Sequence, residues 1–95
     1  MSGWTFLSHH AQVFLCIARD PDVRLRDVAA AVGITERAVQ GIVNDLAAAG
    51  YVSRTRAGRR NHYEVHHEVP LRHPLQRGLD TRALLALTRE SVRRE

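Results

Sequence analysis

A mainly α fold carrying one small β-hairpin is what this sequence predicts, and three observations predict it. Apolar residues recur at helical spacing in successive segments up to Ala49. Alternation then takes over from Tyr51 to Arg56 and again from His62 to Val65, around a tip of Gly and Arg. Helical spacing returns after Asp80.

Composition narrows the class. Ninety-five residues suit one domain. A core of that size is marginal alone, so a homodimer that adds apolar burial is expected. The formal net charge is +4, and all 14 basic residues are arginines. A small basic domain points toward phosphate backbones. No apolar run approaches the roughly 18 residues of a membrane span, and Met1 to Leu7 lacks the charged start of a signal peptide. The lone Cys16 sits in an apolar helical run and reads as a small buried hydrophobe. A reducing, cytosolic setting with no membrane partner is the expectation.

Ser8 is a good N-cap for a helix from about His9 to Arg19, with Val13, Phe14, Ile17 and Ala18 on its core face. Trp4 and Phe6 precede it and are expected to pack over the domain or across a dimer. Asp20-Pro21-Asp22 ends the helix, because a residue before proline avoids the α region. Val23 to Leu25 suggests a short strand. A second helix is expected from about Arg26 to Val32, with Val28, Ala29 and Val32 inward; Arg26 is a poor cap, while Asp27 suits the helix dipole. Gly33 supplies the positive φ of a tight exit.

Thr35 caps a third helix from about Glu36 to Ala49, with Val39, Ile42, Val43 and Leu46 on one face. Arg37, Gln40, Gly41 and Asn44 share the other face. Gly50 follows as a helix-ending glycine. Ala57-Gly58-Arg59-Arg60-Asn61 has the chemistry of a hairpin tip. From His66 to Gly78, with Pro70 and Pro74, the chain reads as an extended connection with one helical turn after Pro74. Asp80 caps a last helix through about Arg93, with Leu84, Leu85, Leu87 and Val92 on its apolar side.

The second and third helices are spaced as a helix-turn-helix. Ala29 permits a close crossing, Gly33 makes the turn, and Val39 with Ile42 seals the third helix on the second. With the hairpin as a wing, the architecture is a winged helix-turn-helix: a three-helix core, a wing and a C-terminal helix. Residues 1–67 form the winged domain, and 68–95 a connection and a helix for dimerisation. The segment LAAAGYVSRTRAGRRNHYEV resembles the end of a recognition helix and the wing of MarR- and ArsR-type regulators. PLRHPL is similar to a stretch that follows the wing in small regulators of this kind. The resemblance covers roughly residues 8 to 79 and implies a transcriptional regulator that binds double-stranded DNA.

An α-helix fits the major groove of B-DNA. The expected DNA contacts on the third helix are Thr35, Glu36, Arg37, Gln40, Gly41 and Asn44. Arginine can chelate a guanine edge, and Gln or Asn can pair with adenine. Gly41 costs the helix about 1 kcal/mol against alanine. A close backbone approach to DNA would explain it, and so would close packing on a neighbouring helix. The helix charges, Glu36, Arg37 and Asp45, sum to −1, so the electrostatic attraction must come from elsewhere. Arg54, Arg56, Arg59, Arg60 and Asn61 on the hairpin are the expected clamp on phosphate or the minor groove.

Trp4, Phe6, Leu84, Leu85, Leu87 and Val92 are the expected dimer contacts, and the first and last helices are expected to build the interface. His66, His67 and His73 cluster in sequence, but no CxC or CxxC accompanies them, so neither a metal site nor a cofactor is expected. No nucleophile–base arrangement or glycine-rich phosphate loop suggests an enzyme. The sequence leaves open a winged-helix protein–protein adaptor and a sensor whose ligand or metal effector is unknown.

Overall fold

Ser8 starts the first helix as its chemistry requires. Its hydroxyl accepts from the Ala11 N–H at 3.1 Å, and α1 spans His9–Arg19. The computed structural model describes residues 3–93 and the side chains of residues 3–88. Val13, Phe14 and Ile17 are the buried positions of α1. Asp20, extended at φ −146°, ends it while its N–H still reaches Cys16 O.

No strand forms at Val23–Leu25. The Arg24 carbonyl already accepts from Asp27 and Val28, so Leu25 opens α2, which spans Leu25–Val32. The residue at the poor cap is therefore Arg24, not Arg26, and it makes no side-chain capping bond. One sheet-like bond remains there, from Tyr63 N–H to Pro21 O at 2.9 Å. At Gly33, φ is 88°, and the Ala29 carbonyl accepts from both Gly33 (2.8 Å) and Ile34 (3.1 Å).

Thr35 caps α3, Glu36–Ala48, by accepting from Ala38 N–H at 3.0 Å. Val39, Ile42, Val43 and Leu46 are buried. The exit is a Schellman motif: Gly50 at φ 87° donates to Ala47 O, and Tyr51 donates to Leu46 O. Strands β1, Val52–Ala57, and β2, Arg60–Val65, pair antiparallel from Val52↔Val65 to Ala57↔Arg60. Gly58 at φ 64° followed by Arg59 makes the two-residue turn, the pattern of a type II′ hairpin. The tip is thus tighter than Ala57–Asn61, because Arg60 and Asn61 find ladder partners in Ala57 and Arg56.

Tyr51, Val52 and Tyr63 close the core against the three helices. The connection is tied down in turn: Tyr51 Oη donates to Pro70 O at 2.7 Å, and Leu71 N–H to Leu79 O at 3.0 Å. The expected helical turn after Pro74 is a 3₁₀ turn over Pro74–Gln76, capped by the His73 ring. Asp80 Oδ1 accepts from Arg82 N–H at 3.0 Å and opens α4, Thr81–Arg93. The buried Thr81 hydroxyl donates to the His66 carbonyl, which leaves no unpaired polar group there. Helix α4 lies on α1.

Candidate nucleic-acid interface

Helix α3 presents the face the spacing predicts. Arg37, Gln40, Gly41 and Asn44 are exposed, as are Thr35 and Glu36 at its start. Gln40 Nε2 donates to Asn44 Oδ1 at 3.2 Å, an i, i+4 pair that aligns both amides. The pairing leaves Gln40 Oε1 as an acceptor and Asn44 Nδ2 as a donor for outside groups. The Thr35 hydroxyl is spent on its cap, so its methyl and remaining O–H are what it offers.

Of the two explanations for Gly41, packing on a neighbouring helix falls away. A Cβ built there meets nothing within 4 Å, so no neighbouring helix requires the glycine. The helix gives up about 1 kcal/mol at a position with open space beside it. Asp45 also changes meaning. His10 Nε2 lies 2.8 Å from its Oδ2, so this carboxylate turns toward α1 and away from the Arg37–Asn44 face.

The hairpin register sorts the arginines. Arg54 opposes the buried Tyr63, and Arg56 opposes Asn61, so these residues share one face with Val52. Arg59 stands at the turn, and all three arginines are exposed. Arg60 is exposed too but is tied within the chain. It lies on the other face, and its Nη2 donates to Asp22 O at 2.6 Å. His62 Nδ1 lies 2.8 Å from Asp22 Oδ1 on the same side. With the Tyr63–Pro21 bond, these contacts latch β2 to the turn between α1 and α2. Sequence reasoning read Asp20-Pro21-Asp22 only as a helix stop. Nothing local links Asp22 to residues some forty positions later.

Among the expected dimer residues, Trp4 and Phe6 are exposed and pack on each other, ring centroids 5.1 Å apart and edge to face at 83°. Leu84 and Leu85 are half-buried against the chain's own core, so part of α4's apolar side is satisfied internally. Leu87 is exposed, and Val92 lies outside the residues whose side chains are described. His66 bonds Ser53 Oγ at 2.6 Å, and His73 caps the 3₁₀ turn. Among the described residues no three metal-ligating side chains converge. A cavity of about 740 Å³ opens between α1, the end of α3, the connection and α4, with Phe14, Leu46, Leu71 and Leu84 among its walls.

A sequence model of the MarR family matches residues 3–60, from the N-terminal segment to the start of β2. The chain belongs to the MarR family. No curated protein matches it in sequence. Solved structures share its fold, two of them as follows. FabT of Streptococcus pneumoniae, in complex with DNA, superposes with a TM-score of 0.58 at 23% identity over 96% of this chain. The PcaV transcriptional regulator of Streptomyces coelicolor, with its natural ligand, gives 0.58 at 20% identity over 98%. The chain spans 64% of the FabT chain and 75% of the PcaV chain. At such identities the likeness is one of fold. In MarR terms, α2, the turn at Gly33 and α3 are the helix-turn-helix, and the β1–β2 hairpin is the wing.

Proposed function

We propose that this MarR-family chain binds double-stranded DNA and regulates transcription. Helix α3 enters the major groove, with Arg37, Gln40 and Asn44 toward base edges and Gly41 at the closest backbone approach. Arg54, Arg56 and Arg59 lie on the flanking backbone or minor groove, and Arg60 holds the wing in place. The observation that carries the reading is Gly41, a glycine in an exposed polar helix face that no internal contact requires. The nearby arginine-bearing hairpin supports it, as does a neighbour of the same fold, FabT, solved in complex with DNA.

The chain acts as a homodimer on a pseudo-palindromic site, its recognition helices about 34 Å apart in successive major grooves. Residues from 68 onward, with the N-terminal segment, supply the dimer contact. The setting is the cytosol, and the protein works by occupancy rather than by catalysis.

The test is fluorescence anisotropy on duplex DNA across a salt series. The native chain should bind, with the log of affinity falling linearly against log salt. Arg54→Ala with Arg59→Ala should cut the slope by about 2, one per lost phosphate contact. Arg60→Ala alone should change the slope by less than about 1. A folded chain that binds no duplex at low salt overturns the proposal.

A further inference from the structure

We propose that the Trp4–Phe6 arm of one chain docks in the α1–α3–α4 cavity of a second copy, and that the second copy returns the exchange. The proposal rests on the homodimer reading and gives it a place in the fold. Among the described residues, the exposed large hydrophobics are Trp4, Phe6, Leu75, Leu79 and Leu87. All five lie on the N-terminal arm, the connection or α4. The helix-turn-helix and the wing carry none. Apolar surface is therefore segregated from the polar face of α3, as a chain with one partner for each face requires.

The arm is shaped but empty-handed. Phe6 is 91% exposed and Trp4 66%, and each ring's aromatic neighbour is the other. Their base is pinned: Gln12 Nε2 donates to Thr5 Oγ1 at 3.2 Å and to Leu7 O at 3.1 Å, while Thr5 Oγ1 donates to Leu7 O at 2.8 Å. These bonds hold the rings outside the cavity of their own chain, although Ser8, two residues on, lines it. An arm fixed outward pays little ordering entropy on docking in a partner.

The cavity suits such an occupant. Its volume is about 740 Å³, and its walls include Ala11, Phe14, Leu46, Ala48, Leu71 and Leu84. A docked indole also needs an acceptor for its N–H. Asp45, on the cavity wall, uses Oδ2 for His10 and offers Oδ1. The area reaches the lower end of what a specific dimer needs. A Trp or Phe buries roughly 150–250 Å², so two arms remove roughly 600–1,000 Å², and the smaller receiving walls add less than that again. The total, roughly 1,000–1,400 Å², is that of a small protein–protein interface. Reciprocal exchange also closes the assembly at two chains.

Trp4 is the chain's single tryptophan, so its emission reports the arm directly. The experiment pairs sedimentation equilibrium with intrinsic fluorescence over a concentration series, for the native chain, Phe6→Ser and Ala48→Arg. Phe6 and Ala48 are both exposed, so neither change removes a core side chain, and circular dichroism checks the fold. The expected result is a blue shift of Trp4 in step with doubling of the mass. Both variants should dimerise at least about tenfold more weakly and keep a water-exposed Trp4. A dimer whose Trp4 stays water-exposed, or one that both variants form as well as the native chain, overturns the arm exchange and leaves the homodimer standing. A monomer with blue-shifted Trp4 at every concentration places the arm in its own cavity and overturns the exchange. A chain that stays monomeric at high micromolar concentration, with Trp4 exposed, overturns both.

Discussion

Replacing Gly41 with alanine sets stability against DNA affinity. The position lies in the middle of α3 and is exposed, and an added Cβ meets no atom within 4 Å. The methyl therefore brings no clash within the chain. Alanine gains about 0.8–1.0 kcal/mol over glycine in a helix interior, chiefly by restricting the unfolded chain. For a domain of this size that raises Tm by roughly 4–8 °C. On DNA the sign reverses. A methyl at the point of closest approach pushes α3 off the groove, and a loss of about 1.4 kcal/mol is already tenfold in Kd. Thermal melts and duplex anisotropy read the two effects on the same preparations. Destabilisation by Gly41→Ala would refute the open space beside the helix. Stabilisation with unchanged affinity would remove Gly41 from the interface and take away the main support for the proposed function.

Three further outcomes follow from other elements. Thr35→Ala removes the cap of α3 and should cost about 1 kcal/mol, read from the denaturation midpoint; an unchanged midpoint refutes the cap. Asp22→Ala takes away the His62 partner, and exposed pairs of this kind contribute at most about 1 kcal/mol. Global stability should therefore change little while amide exchange along β2 rises, and unaltered exchange refutes a role for the His62–Asp22 pair in the latch. At Cys16, burial pushes the thiol pKa up, and nearby Arg19 only partly offsets this. The thiolate thus forms at higher pH in the folded chain than in the unfolded one. The contribution to stability is present below the unfolded thiol's range and fades as pH rises through the folded one. Alkylation at mildly alkaline pH should be slower in the native chain than in urea; equal rates refute the burial.

Local chemistry was legible in the residues. Ser8, Thr35 and Asp80 cap where short polar side chains next to apolar-periodic runs should cap. Gly33 and Gly50 turn where a positive φ is needed. The buried face of α3 and the exposed face opposite it follow from 3.6-residue spacing alone. Much of the candidate interface was legible for the same reason, since α3 and the hairpin arginines are placed by their own segments. Val23–Leu25 failed as a strand because its apolar residues suit a strand and a helix start equally. Helical bonds to the Arg24 carbonyl decided between them.

Periodicity, caps and turn glycines act within a few residues, so the sequence by itself determined the helices, the hairpin and the polar face of α3. Tertiary structure decided everything that joins distant segments. It turned Asp45 toward His10, tied Arg60 to the Asp22 carbonyl, opened a cavity between α1, α3 and α4, and left Trp4 and Phe6 uncovered. Those outcomes depend on the angles at which α1, α3 and β2 pack. Such angles are set by the whole core at once, and no short stretch of residues encodes them.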